Sequence, residues 1–280
     1  MDITVRFAAR AIDAVRRVAA EEVVPRYRSV VALRKDDGSI VTEADLAAQD
    51  ALVRRLRVVD DVPVLAEEMP ASEQRAVHER GGRYWCVDPL DGSRNFSLGI
   101  PFFAISVALM EGPRPLFGTV YDPIADEAYF AVRGAGAWLN HRLLELPQAG
   151  PPLAQAVAEV SLRRDTARLR GALKRRAPYA RRLTSGSSAL SWCHLAAART
   201  DAMLHGGQKI WDYAAGALVL EEARGFACTL EEDDFWAAPA WSRSVIAARS
   251  SALLDEWRGW IRRELASGLG EEEPSADQRG

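Results

Sequence analysis

Apolar positions recur at three- and four-residue intervals across residues 3–24 and stop before Pro25, the spacing of an amphipathic helix. A second helix is predicted from Thr42 to about Val58. Its start reads Thr42-Glu43-Ala44-Asp45, an N-cap hydroxyl followed by an acidic first turn. Short apolar runs follow, divided by Gly, Pro and Asp, and predict strands at residues 62–66, 84–87, 103–110, 116–121 and 128–132. Gly134-Ala135-Gly136-Ala137 reads as a turn, because no strand-to-helix GxGxxG frame surrounds it.

Residues 146–153, with Pro147, Gly150, Pro151 and Pro152, form the natural connection between two halves. Beyond it, strands predicted at residues 157–160, 202–204 and 244–248 are interleaved with helices at 164–175, 187–198, 211–223 and 252–265. The expected division is therefore 1–146 and 153–267, with a polar tail at 268–280, containing Glu271-Glu272-Glu273-Pro274, that reads as disordered. Strands clustered in the first half and alternating with helices in the second predict a layered, mixed α/β fold.

Composition narrows the partners. Of 280 residues, 48% are hydrophobic and 27% charged, ordinary for a globular chain able to bury its own core. A net charge of −3 gives no ground for a nucleic-acid or anionic-membrane partner. Arg163, Arg164, Arg168, Arg170, Arg175, Arg176, Arg181 and Arg182 depart locally from that balance. They read either as a solvated face or as a basic rim that draws in an anionic substrate. Cys86, Cys193 and Cys228 are odd in number and widely spaced, which suits free buried thiols rather than a disulfide framework or zinc site. Residues 1–20 have no uninterrupted apolar run, so neither a signal peptide nor a membrane span is expected and the predicted location is the cytoplasm.

The chemistry concentrates in Trp85-Cys86-Val87-Asp88-Pro89-Leu90-Asp91-Gly92-Ser93-Arg94-Asn95-Phe96. An apolar strand is expected to end at Asp88, because Pro89 cannot continue the ladder. Asp91-Gly92-Ser93 then opens a helix or tight turn whose free N–H groups face forward. Two carboxylates three residues apart at a strand end can reach one hard cation; an acidic turn with an Asx cap is the structural alternative. Glu67-Glu68 follows another apolar run, and Trp211-Asp212 opens a helix, where an Asp can equally be an N-cap. Four carboxylates on separate segments suffice for a site with two or more Mg²⁺ ions. His78, His141 and His194 are isolated and give no ligand spacing, and Ser185-Gly186-Ser187-Ser188 lacks the His and Asp context of a nucleophile elbow.

From about residue 35 to 248 the chain resembles the inositol monophosphatase family of metal-dependent phosphatases. Val41-Thr42-Glu43-Ala44-Asp45 is similar to its V-T-x-x-D element, and Ala66-Glu67-Glu68 to G-E-E with Ala for Gly. Asp88 to Phe96 resembles D-P-[IL]-D-G-[ST]-x-N-F, and Gly118-Thr119-Val120-Tyr121-Asp122-Pro123 the middle strands. Trp211-Asp212-Tyr213-Ala214-Ala215-Gly216 through Glu222-Ala223-Arg224-Gly225 is similar to W-D-x-A-A-G followed by E-A-G-G.

The resemblance implies an αβαβα layered sandwich, a homodimer, two or three Mg²⁺ ions and inhibition by Li⁺. It implies Glu67, Asp88, Asp91, Asp212 and the Leu90 carbonyl as metal ligands. Gly92 and Ser93 would offer amides to the phosphate, and Ser93, in the position of the usual Thr, would pair with Asp45 to activate the attacking water alongside Glu67. Asp91, Asp212, Gly186, Ser187, Ser188 and His205 would meet the substrate, a small phosphorylated metabolite. Two departures stand out. Arg224 replaces a Gly, so a backbone that needed positive φ there is expected to change. His205 replaces a Glu that binds substrate hydroxyls, which turns preference away from inositol 1-phosphate. A nucleoside 3′,5′-bisphosphate or histidinol phosphate is the alternative substrate for the same machinery. A regulatory RNA- or protein-binding member of the fold is the reading from another class.

Overall fold

The computed structural model describes residues 5–29, 32–35, 38, 40–162, 167–237 and 241–267. The predicted polar tail lies outside them. In chain order the first part carries α1 (Val5–Val18), β1 (Leu33–Arg34), β2 (Ile40–Val41), α2 (Glu43–Val59), β3 (Val64–Ala66), α3 (Ala71–Arg80) and β4 (Arg83–Asp91). Then come α4 (Ser93–Ser97), β5 (Ala104–Glu111), β6 (Arg114–Asp122), β7 (Glu127–Val132), β8 (Gly136–Leu139) and β9 (Arg142–Leu144). The second part carries β10 (Val157–Ser161), α5 (Ala167–Arg175), β11 (Arg181–Leu183), α6 (Ser188–Ala196) and β12 (Ala202–Lys209). It ends with α7 (Ile210–Glu222), β13 (Phe226–Cys228), β14 (Ser242–Ala248) and α8 (Ser251–Ala266).

A seven-stranded sheet runs in sequence order from β3 to β9, and a five-stranded sheet has the order β11-β10-β12-β14-β13. Strand alternation assigns the layers. Tyr84 and Cys86 of β4 belong to the core shared with α6 and α7, whereas Trp85 and Val87 belong to the core shared with α1 and α2. In the second sheet Met203, Val245 and Ala247 face α6 and α7, while Leu204, Ile246 and Ala248 face α5 and α8. The order is thus helices, sheet, helices, sheet, helices: the αβαβα sandwich that the resemblance implies. Among the described residues no helix is long and apolar enough to cross a membrane.

The middle layer is the tightest. A Cβ on Gly118 of β6 would lie 2.8 Å from the Ala215 Cα, and one on Gly216 would lie 2.5 Å from the Trp192 Cβ. These two contacts lock α7 between β6 and α6, and Ser106 Oγ donates to the Trp211 carbonyl at 3.1 Å. The N-terminus of α7 is thereby fixed over the C-terminal end of β4.

Four local expectations change. β4 does not end at Asp88: Asp88 pairs with Ser106 and Asp91 with Ala104, so one extra residue is absorbed in a bulge. Pro89 sits inside it, where the ladder needs no donor. β12 extends to Lys209 instead of ending at Leu204, with its own bulge between His205 and Gln208. The predicted turn at Gly134-Ala135-Gly136-Ala137 is partly strand, since β8 starts at Gly136. Arg224 keeps a left-handed backbone, with φ 67°. Arg224 N–H donates to the Glu221 carbonyl at 2.9 Å and Gly225 N–H to Leu220 at 2.8 Å. That is a Schellman ending to α7 with arginine where glycine is favoured. The substitution changes the residue and leaves the turn intact, with the Arg224 guanidinium 2.7 Å from Glu145.

Candidate metal centre

Three chain segments deliver one carboxylate each to a common point. β3 runs parallel to β4, with Ala66 opposite Val87, and Glu67 N–H donates to the Val87 carbonyl at 3.1 Å, which fixes Glu67 at the strand end. The β4 bulge presents Asp88, whose Oδ1 accepts Leu90 N–H at 3.0 Å. Asp212 stands in the first turn of α7, its Oδ2 accepting Lys209 N–H at 2.8 Å. One oxygen from each of Glu67, Asp88 and Asp212 lies within 4.8 Å of the others.

Such a cluster is unfavourable by itself. Burial, then the charge of Asp212, pushes the Glu67 carboxyl up to about 8. Burial and the charges of Glu67, Asp91 and Asp212 push Asp88 well above the carboxylate range. Lys35 offsets part of this, with Nζ 3.5 Å from Glu67 Oε1 and 2.5 Å from Glu68 Oε1. An all-oxygen, anionic donor set with excess negative charge fits a hard divalent cation such as Mg²⁺ and not a soft one. The surrounding cavity, of about 320 Å³, is lined also by Arg34, Leu90, Asp91, Gly92, Ser93 and Arg94.

Asp91 borders that cavity but directs its carboxylate to the N-terminus of α6. Its Oδ2 accepts the Ser187 hydroxyl and Ala189 N–H at 2.8 Å, and its Oδ1 accepts Ser188 N–H at 3.1 Å. Burial raises its carboxyl to about 6, with those three donors pulling it back. Asp91 still borders the same cavity as Asp88, and its charge helps to raise the Asp88 carboxyl.

Ser93 and Asp45 do meet. Ser93 Oγ lies 2.6 Å from Asp45 Oδ1 and 2.8 Å from the Leu90 carbonyl. Asp45 Oδ2 accepts both the backbone N–H of Thr42 at 2.7 Å and its hydroxyl at 2.5 Å. Burial raises the Asp45 carboxyl and these hydrogen bonds counter it. A serine has one proton; given to Asp45, it leaves the Ser93 lone pairs free to accept another. Gly92 opens α4 at φ 92°, and a Cβ there would come within 3.1 Å of the Phe102 carbonyl. Only glycine brings the start of α4 this close to β5.

Gly186, Ser187, Ser188 and His205 line a second cavity of about 240 Å³, together with Glu159, Ser161 and Ser191. Ser187 and Ser188 join it to the first through Asp91. Asn95 Nδ2 donates to the carbonyls of Ser185 and Phe102, both at 2.8 Å, tying α4 to this loop. His205 lies beyond the predicted strand end but on β12, opposite Ser161 and Val245 and half-buried, and its Nδ1 accepts Gly207 N–H at 3.1 Å. That bond fixes the tautomer, with the proton on Nε2.

Sequence reasoning passed over Glu159, a buried carboxylate accepting Ser185 N–H at 2.6 Å and the Ser185 hydroxyl at 2.9 Å. The available signal was a lone Glu inside an apolar strand run. His141 is exposed, and the two remaining histidines have packing roles. His78 contacts Tyr84 and Trp241, and His194 packs on Phe102 and Tyr129, its imidazole lowered to about 4 by burial. All three cysteines are free and buried.

Known proteins resemble this chain along most of its length. The model of the inositol monophosphatase family matches residues 2–265. The chain is 34% identical over 239 residues to the Nus factor SuhB of Haemophilus influenzae, covering 82% of this chain and 85% of that one. It is 34% identical over 195 residues to the 3′(2′),5′-bisphosphate nucleotidase CysQ of Shigella flexneri, covering 68% and 76%. Among solved structures, an IMPase of Thermotoga maritima superposes with a TM-score of 0.78 at 27% identity, covering 93% of this chain and 98% of that one.

Proposed function

The chain belongs to the inositol monophosphatase family, and on that footing we propose that it is a Mg²⁺-dependent phosphomonoesterase acting on a small phosphorylated metabolite. The observation that carries this reading is the convergence of Glu67, Asp88 and Asp212 within 4.8 Å, beside a Ser93–Asp45 pair at 2.6 Å.

Glu67, Asp88 and Asp212 would hold the cations, with Asp91 and the Leu90 carbonyl completing the set. Bound Mg²⁺ supplies neutralisation of phosphate charge and acidifies water. The protein's own groups do the rest. The first amides of α4, at Gly92 and Ser93, hold phosphate oxygens. Asp45, locked by Thr42, orients the Ser93 hydroxyl so that its oxygen takes a proton from the attacking water as its own proton passes to the Asp45 carboxylate. Arg34 and Arg94 add positive charge at the cavity wall. No protein nucleophile is required.

Asp91 joins the two cavities, so the leaving group lies against Ser187, Ser188 and His205. A donor at His205 Nε2 favours a second anionic group on the substrate over a ring of hydroxyls. A nucleoside bisphosphate is the second reading, favoured by that donor and by the likeness to a bisphosphate nucleotidase. The test is phosphate release from inositol 1-phosphate, fructose 1,6-bisphosphate and adenosine 3′,5′-bisphosphate, with Mg²⁺, EDTA or added Li⁺. Hydrolysis that needs Mg²⁺ and falls with Li⁺ supports the reading. No hydrolysis of any ester, or hydrolysis indifferent to EDTA, overturns it.

A further inference from the structure

The net charge of −3 conceals a local reversal. From the start of α5 to the end of β11 the sequence holds Arg168, Arg170, Lys174, Arg175, Arg176, Arg181 and Arg182 and no acidic residue; these seven positive charges leave −10 for the rest of the chain. All but Arg170 are exposed. Among the described residues, none of those exposed six forms an ion pair. Elsewhere arginines are neutralised locally: Arg114 by Glu221, Arg199 by Glu127, Arg249 by Asp201. Of the three acids of the neighbouring α8, Asp255 pairs with Arg258 and Glu256 accepts Leu153 N–H, and Glu264 forms no ion pair with any of the six among the described residues.

The placement of these charges restricts what they meet. None of the six lines either cavity of the candidate site, so they do not grip a small substrate. The apolar side of α5, Leu169, Ala172 and Leu173, is buried, with Leu169 and Leu173 in the core shared with α8, which leaves no apolar face to enter a lipid surface. β11 is an edge strand bonded to β10 alone, with all three residues exposed. The cations thus extend along a nine-residue helix, about 13 Å in length, and on to an open sheet edge. An extended array of unneutralised cations fits an extended polyanion with regularly spaced charges.

We propose that the α5–β11 face is a docking surface for the phosphodiester backbone of a nucleic-acid strand. The surface is independent of the phosphatase chemistry. Its test is fluorescence anisotropy of a labelled single-stranded RNA of about 20 nucleotides, titrated with the full chain at about 50 to 200 mM salt. The wild type binds, with log K falling against log salt by about 0.7 per phosphate contacted. Combining Arg175→Glu, Arg176→Glu and Arg181→Glu lowers affinity about 100-fold or more at the lowest salt, with the unfolding midpoint unchanged. Absence of binding by the wild type overturns the proposal, as does a variant that binds within about threefold. Displacement of the RNA by polyglutamate of equal charge as readily as by unlabelled RNA also overturns it, because the face would then serve an acidic polypeptide.

Discussion

The two cavities on either side of Asp91 are built on opposite principles. In the one at the ends of β3, β4 and α7, like charges are forced together: Glu67 is raised to about 8 and Asp88 is held well above the carboxylate range. In the one at β10, β12 and α6, hydroxyls, an imidazole and Glu159 meet donors and acceptors of their own, such as the two Ser185 donors on Glu159. The first thus carries uncompensated charge, whereas the second carries hydrogen-bonded polar groups. The first is fixed by sheet ends and a helix start locked at Gly118 and Gly216. The second is set by side chains of β10, β12 and the start of α6, of which Ser187 also holds Asp91.

That contrast breaks most visibly at the ligands. Asp88→Asn or Asp212→Asn should each lower kcat by about 100-fold or more, because an amide removes ligand charge. The same variants should leave the metal-free unfolding midpoint unchanged or higher, because they relieve repulsion. Retention of more than about a tenth of wild-type activity by either would remove its carboxylate from the metal set. The Ser93–Asp45 pair comes next. Ser93→Ala and Asp45→Ala should each lower kcat by roughly 100-fold, and the double variant should be scarcely worse than the worse single one. Fully multiplicative losses would mean separate roles.

A smaller effect is expected in the second cavity. His205→Glu should shift the kcat/KM ratio toward inositol 1-phosphate and away from adenosine 3′,5′-bisphosphate by about tenfold, roughly 1.4 kcal/mol. Unchanged ratios would put His205 outside the leaving-group contact. The smallest effect lies at the end of α7. Arg224→Gly should stabilise the fold by less than about 1 kcal/mol, since relief of the left-handed strain is offset by the freedom glycine gains when unfolded. Loss of the exposed pair with Glu145 matters little there. A thermal scan showing clear destabilisation would assign the guanidinium a larger role.

What the sequence made legible follows the same division. Apolar runs buried on both faces, such as Tyr84 to Val87, announce their strands, and the carboxylates at strand and helix ends announce the cluster of Glu67, Asp88 and Asp212. The direction of Asp91 was not legible, since it depends on how a bulge at Pro89 turns one side chain toward a helix nearly a hundred residues later. α3 gave little signal because Gln74 is its one buried residue, so no apolar face repeats along it. β11 and β13 are three residues each, too short for an alternation to register. His205 fell beyond the strand predicted at 202–204 because Gly206 and Gly207 follow it, while the pairing with Val245 that extends β12 is long-range. Arg224 was misjudged for another reason: residue preference says what a turn favours, and the bonds to Leu220 and Glu221 show what it tolerates.

The central claim, that Glu67, Asp88 and Asp212 await a hard cation, is tested most directly by the Mg²⁺-induced rise in unfolding midpoint at pH 6 and pH 8. The folded, metal-free chain holds a proton at Glu67 up to about 8, well above the unfolded carboxylate value of about 4.3. This group's stabilising contribution is therefore fully present below the unfolded value and is lost as pH rises through the folded one. Mg²⁺ displaces that proton, so its stabilisation should grow from pH 6 to pH 8. The account predicts a larger midpoint rise at pH 8 in the wild type and almost none at either pH in Asp212→Asn. An equal rise at both pH values, or an undiminished rise in Asp212→Asn, would contradict it.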